Sequence, residues 1–207
     1  PRTLNSIFDA YSELLAGRPL PEGFNRSLMV LIPKGELDGD HLAIARAPEA
    51  TRPITLSNSI AKIFAMCLNR GLSQLAQHTV LPRQRGFVRG RHLIDNILET
   101  ESFLLHSTKW FDDKAGLLLL DFAAAFPSLA HCWIFLVLLT MQFPLFLIDI
   151  IKKLYEDCLI ELLYGADSHQ PFRALAGIKQ GCPLSGTLFA LALDPFIRLL
   201  CFTIPKH

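Results

Sequence analysis

The chain has 207 residues, of which 51% are hydrophobic and 19% charged, with a formal net charge of +1 and a mean hydropathy of +0.33. That length and apolar content exclude a disulfide-stapled miniprotein and a disordered segment, and they suit one generous domain or two small ones built on a sizeable core. The charge is uneven: Arg46 to Arg91 holds eight basic residues against Glu49 alone, whereas His92 to Gln170 holds four basic and eleven acidic. Such a basic block suits a polyanion-binding surface, and it equally suits a solvated face that pairs with the acidic block behind it.

Five cysteines, Cys67, Cys132, Cys158, Cys182 and Cys201, stand at no close pairing interval. They read as reduced, buried thiols of a nuclear or cytoplasmic protein, not a secreted one. Pro1 opens the chain and no basic-then-apolar leader precedes the first helical pattern, so a fragment without a signal peptide is expected.

Leu4, Ile7, Phe8, Tyr11, Leu14 and Leu15 recur at helical spacing, ended by Gly17, Pro19 and Pro21. Ser27 to Ile32 is a brief apolar run stopped by Pro33, read as a strand that delivers Lys34 to an edge or turn. Gly35 to Arg52 is expected to be a loop. From Ser57 to about Ala76 the apolar residues keep a helical period, with Ser57 or Asn58 as cap. Leu81 to Arg91 (LPRQRGFVRGR) is too broken for a regular element, and a further helix is expected from Leu93 to about Ser107.

Leu117 to Leu120 is a continuous apolar run ending at Asp121, short enough for a strand buried on both faces. Pro127 and Ser128 are expected to open a helix through Leu139, and Pro144 another through Tyr155. Leu159 to Tyr164 and Pro171 to Ala176 flank a turn as a strand pair, and a last helix runs from about Leu184 to Cys201 with a kink at Pro195. Phe122 to Ile148 contains no Asp, Glu, Lys or Arg over 27 positions, but Pro127 and Pro144 cut it into pieces shorter than a bilayer requires. A buried helix pair is expected there, with no membrane partner.

Asp121 is the most informative position, because a carboxylate after four leucines must be hydrated, paired or metal-bound; it could equally cap the next turn. Ala123, Ala124 and Ala125 leave room either for a ligand or for close packing. In Gly177 to Leu184 (GIKQGCPL), two glycines, a proline and Gln180 form a turn able to present backbone donors to a ligand. The arginines of the basic block are placed either to line a groove for phosphates or simply to solvate the surface.

Taken in order, LIPK (Leu31 to Lys34), RPITL (Arg52 to Leu56), LPRQRGF (Leu81 to Phe87), LLLLDFAAAF (Leu117 to Phe126) and GIKQGCPLSGTLF (Gly177 to Phe189) resemble the reverse transcriptases of non-LTR, LINE-like retrotransposons. The resemblance covers about residues 28 to 200. It implies an α+β, partial right-hand polymerase fold, helix-rich with a small antiparallel palm sheet: residues 1–115 as N-terminal extension and fingers, 116–207 as partial palm.

It implies, by position, Asp121 as the catalytic carboxylate that binds Mg2+ (or Mn2+), with the backbone carbonyl of Phe122 as a further ligand. Arg52, Phe126, Gln180 and Gly181 would meet the incoming nucleotide, Phe126 lying under its sugar and limiting a 2′-hydroxyl. Lys34, Arg83, Arg85, Arg89 and Arg91 would contact nucleic acid. Implied partners are an RNA template, a DNA primer, dNTPs and the remainder of a parent polyprotein.

Two departures are visible. A Tyr- or Phe-x-Asp-Asp hairpin motif is absent, since Asp112 and Asp113 follow Trp110 and Phe111 ahead of the expected palm strand, not after it. Where the family commonly reads Lys-Ala-Phe-Asp, this chain reads Ala124, Ala125, Phe126, Pro127. With one carboxylate of three, weak magnesium binding and no polymerisation by the chain alone are expected. The alternative function is a noncatalytic or decayed nucleic-acid-binding module.

Overall fold

The computed structural model describes residues 9, 11–36, 46–110, 117–164 and 167–204. Leu4, Ile7 and Phe8 of the expected first helix, together with Asp112 and Asp113, lie outside the described residues; residues 11–15 are helical.

A five-stranded sheet joins the two halves of the chain. Strand β1 (Ser27–Pro33) pairs along its whole length with β2 (Thr51–Ser57), antiparallel, from Ser27 opposite Ser57 to Pro33 opposite Thr51. On its other side β1 runs parallel to β3 (Leu159–Tyr164), Ser27 facing Ile160 and Val30 facing Leu163. Two short strands, β4 (Asp167–Ser168) and β5 (Phe172–Arg173), both pair antiparallel with β3. The sheet is therefore mixed and not purely antiparallel as expected. The parallel pair arises because β1 and β3 are far apart in sequence and joined through helices, the connection that parallel pairing needs.

β2 was not foreseen, since its first two residues fall within the expected loop and Pro53 sits inside it. A proline is tolerated there because β2 is an edge strand, with no partner on its outer side in the sheet order.

Helix α1 (Ser59–Thr79) starts where Asn58 accepts a hydrogen bond from the Ile60 amide at 2.9 Å, as the cap reading anticipated. α2 (Leu93–Trp110) follows the arginine-bearing turn. Pro127 does not open the expected long helix: a single helical turn at Ala125–Ser128 is followed by a break, and α3 (His131–Thr140) begins after it. α4 (Leu145–Tyr155) begins after Pro144, and α5 (Ser185–Thr203) carries Pro195 internally.

The core lies among α1, α3, α4 and α5, where Leu72, Ile134, Leu138, Ile148, Ile151, Leu184, Leu188 and Leu191 are almost wholly buried. α5 packs on α1 and α3, and α3 on α4. α5 is also the one described helix long and apolar enough to cross a membrane, but Leu188, Ala190, Leu191 and Asp194 on it are buried inside the molecule.

Two further expectations are corrected. Leu117 to Leu120 form no strand, and the four side chains are between 49% and 81% exposed. Both sides of β1 and both sides of β3 are occupied by described strands, and the outer edge of β2 is met by another segment, so the run has no described open ladder to join. Of the cysteines only Cys158 is buried; Cys67 and Cys132 are exposed, Cys182 and Cys201 partly so, and all are free thiols.

Candidate nucleotide and nucleic-acid site

The site is assembled by backbone hydrogen bonds among three segments that sequence places far apart. After Asp121, which is exposed in a non-helical stretch, the chain turns through Ala124 in the left-handed region (φ 51°, ψ 44°) into the Ala125–Ser128 turn. That turn is zipped to the glycine-bearing segment: the Ile178 amide donates to the Phe126 carbonyl at 2.9 Å, and the Gly177 amide to the Leu129 carbonyl at 2.8 Å.

Gly177 has φ +86°, and a Cβ there would stand 2.6 Å from the Pro127 carbonyl oxygen, so neither the backbone angle nor the space admits a side chain. His131 Nε2 is 2.7 Å from the Gly177 carbonyl and ties the start of α3 to the same segment.

Past Gly177 the segment reaches the outer edge of β2. The Thr55 amide, pointing away from β1, donates to the Gln180 carbonyl at 2.9 Å, which satisfies a donor that an edge strand would otherwise leave open. Gly181 (φ +107°) follows, and a Cβ on it would lie 3.1 Å from the Thr55 carbonyl oxygen. Ser185 Oγ donates to the Lys179 carbonyl at 2.8 Å, fixing the turn to the first residue of α5. A recess of about 310 Å³ opens here, lined among others by Pro53, Thr55, Pro127, His131, Gly177 and Gln180. Arg52, exposed on β2, precedes the lining residue Pro53 in sequence but does not itself line the recess.

Phe126 is half-buried, its ring stacked on Phe189 with centroids 4.9 Å apart and planes 12° apart. Phe87 meets it edge-on at 5.6 Å and 84°. Phe122 turns instead toward α5, its ring 5.9 Å from that of Phe196. Among the described residues no group of three or more His, Cys, Asp and Glu is placed to hold a metal ion. Asp121 with the Phe122 carbonyl supplies two ligands at most, and these residues alone do not fit a two-ion centre.

The basic residues divide by what they touch. Arg91 is a structural clamp: its guanidinium donates to the carbonyls of Leu81 (2.5 Å), Gln84 (2.6 Å), Gln77 (2.8 Å) and Val80 (3.0 Å), closing the C-terminal end of α1. Arg85 is held by Asn96 at 2.7 Å and by Glu99, whose carboxyl it keeps below the usual carboxylate range. Both are occupied by protein partners. Lys34 Nζ donates to the Glu49 carbonyl at 2.9 Å and, with Arg52, lies at the Pro33 end of the β1–β2 hairpin. Arg52, Arg83 and Arg89 are exposed.

Sequence reasoning passed over Asp194, Gly186 and the special place of Phe87. A buried acid inside an apolar helix was the one available signal for Asp194. Close approach at Gly186 and the backbone angle of Phe87 leave no local sequence mark.

Comparison with known proteins follows the same segments. Residues 32–202 match the family model described as reverse transcriptase (RNA-dependent DNA polymerase). The chain is 30% identical over 188 residues to the Transposon TX1 uncharacterized 149 kDa protein of Xenopus laevis, covering 87% of this chain and 13% of that protein. It is 31% identical over 183 residues to the Retrovirus-related Pol polyprotein from type-2 retrotransposable element R2DM of Drosophila melanogaster, covering 87% and 16%. It is 27% identical over 209 residues to that from type-1 retrotransposable element R2 of Bradysia coprophila, covering 97% and 22%. The chain thus spans less than a quarter of each of these relatives.

Proposed function

The chain belongs to the reverse transcriptase (RNA-dependent DNA polymerase) family and is similar to its non-LTR retrotransposon members, and from that premise we propose that it forms the fingers (within residues 1–115) and the first part of the palm (within 116–207) of an RNA-directed DNA polymerase. The observation that carries this reading is the pair of backbone junctions at the glycine-bearing segment, Ile178 to Phe126 on one side and Thr55 to Gln180 on the other, which draw three separated motifs into one place.

In this reading Arg52 neutralises phosphate charge on the incoming nucleotide, where a guanidinium suits several oxygens at once. Gln180 and Gly181 support the nucleotide and template base, and Phe126 lies under the sugar and excludes a 2′-hydroxyl. Exposed Lys34, Arg83 and Arg89 contact backbone phosphates, as a template-tolerant enzyme requires. Asp121 and the Phe122 carbonyl would contribute to binding Mg2+ or Mn2+, which in this family serves nucleotidyl transfer to a primer 3′-hydroxyl. Further carboxylates are needed for a full centre, so the chain alone is proposed not to polymerise.

The test is primer extension on an RNA template by a polypeptide carrying this chain together with a Tyr- or Phe-x-Asp-Asp hairpin. Extension that Asp121→Ala abolishes is the expected result; full activity in Asp121→Ala overturns the assignment. A second reading, a noncatalytic nucleic-acid-binding module, draws on the absence, among the described residues, of any group of three or more His, Cys, Asp and Glu placed to hold a metal ion. It predicts salt-sensitive RNA binding with no extension in the same assay.

A further inference from the structure

We propose that Phe87, on the arginine-bearing turn, is the positioning residue that holds the ring of Phe126, and that discrimination between deoxyribose and ribose nucleotides depends on it. The inference rests on the reading of Phe126 given above.

Phe87 is not placed as a core residue: it is 59% exposed. Its backbone nevertheless lies in the left-handed region (φ 58°), which bulky aromatic residues rarely adopt and which persists only where surrounding structure imposes it. What the conformation achieves is a contact. The ring stands edge-on to Phe126 at 5.6 Å and to Phe189 at 6.3 Å, both at 84°, the edge-to-face geometry that aromatic quadrupoles favour.

Space for that contact comes from α5. A Cβ on Gly186 would approach the Phe87 ring to 2.8 Å, so glycine there admits the ring.

The ring of Phe126 needs such support because its own element is one helical turn, preceded by left-handed Ala124 and by small, exposed neighbours. Phe189 fixes the ring from its face, and Phe87 fixes it from the side. A residue that rejects a single hydroxyl works by occupying that oxygen's space, and a displacement of about 1 Å is enough to undo such positioning. Losing Phe87 is therefore expected to relax rejection of the 2′-hydroxyl while leaving deoxynucleotide contacts in place.

The experiment is equilibrium titration of this chain, with magnesium and an RNA template annealed to a dideoxy-terminated DNA primer, using γ-phosphate-labelled dATP and ATP. The variants are Phe126→Ala, Phe87→Ala, Phe87→Tyr and Gly186→Ala, each checked by circular dichroism and melting. The wild-type chain is expected to favour dATP by on the order of tenfold, a preference that Phe126→Ala erases. Phe87→Ala is expected to lose most of the preference through tighter ATP binding, with dATP affinity held within about twofold, and Phe87→Tyr to restore it.

Gly186→Ala displaces the ring without removing it and is expected to mimic Phe87→Ala; it carries the test if Phe87→Ala does not fold. If Phe126→Ala erases the preference but Phe87→Ala and Gly186→Ala keep it, this proposal fails and the reading of Phe126 stands. If the wild-type chain shows no preference, if Phe126→Ala retains it, or if neither nucleotide binds, the reading of Phe126 fails and takes this proposal with it.

Discussion

Asp194 Oδ1 accepts the backbone amide of Leu81 at 2.7 Å from a position that solvent does not reach, the side chain being 0% exposed. The second carboxylate oxygen takes Arg198 Nε at 2.5 Å, and Arg198 Nη2 in turn donates to the Thr79 carbonyl at 2.7 Å. With Arg91 on the neighbouring carbonyls, these groups lock the end of α1 and the start of the arginine-bearing turn onto α5.

Removing that carboxylate strands a part-buried amide and loosens a guanidinium. Asp194→Ala is expected to lower unfolding free energy by about 3 kcal/mol, read from urea denaturation midpoints. A loss below about 1 kcal/mol would show that the turn is held by other means.

The two glycines of the segment between the Ala125–Ser128 turn and β2 differ in what an added methyl would meet. Gly177→Ala drives a carbon into the Pro127 carbonyl at 2.6 Å, whereas Gly181→Ala faces the Thr55 carbonyl at 3.1 Å; both have positive φ. Thermal melts are expected to rank Gly177→Ala as the more damaging, at about 2 kcal/mol or more.

Arginines with protein partners and exposed arginines should separate in one pair of assays. Arg91→Ala opens four carbonyls at the end of α1 and is expected to depress the melting temperature. Arg52→Ala and Arg89→Ala should leave melting unchanged, weaken RNA binding, and each reduce the slope of log affinity against log salt by about 1. Equal loss of stability in all three variants would contradict the division.

Cys158 is buried, and burial pushes its thiol up from the ordinary cysteine range, so little thiolate forms near neutrality. In the native protein, alkylation followed by mass spectrometry should modify exposed Cys67 and Cys132 well before Cys158. Early labelling of Cys158 would mean that the start of β3 opens readily.

The Arg85 guanidinium holds Glu99 below the usual carboxylate range, chiefly through its hydrogen bond. A folded-state value lower than the unfolded one means that the pair's contribution is present at neutral pH and is lost as the solution is acidified through that range. Protection factors over residues 93–100, with the intrinsic pH dependence of exchange divided out, should fall on that acidification, and Glu99→Gln should show the lower protection already at neutral pH.

Where local chemistry decides structure, the chain could be read directly. Asn58 as a cap, Pro144 ahead of α4, and the apolar periods of α1 and α5 each depend on residues within one or two turns, and the helices formed where those signals stand. Leu117 to Leu120 shows the opposite case: an apolar run records a preference for burial without recording which surface provides it. RPITL stands out as a motif but does not read as a strand, because Pro53 argues against a strand until β2 is known to be an edge.

Sequence by itself determined the family resemblance and the starts of α1 and α4, since these are fixed by residue type and short spacing, and it nominated Asp121, Arg52, Phe126 and Gln180 by their positions in that resemblance. Only the tertiary structure decided that Gln180 would complete the edge of β2, that Arg85 and Arg91 would bind protein groups, and that the Phe87 ring would meet Phe126 edge-on. Those outcomes depend on which distant donors, carbonyls and rings are brought within a few ångströms, a matter of long-range packing that no local pattern encodes.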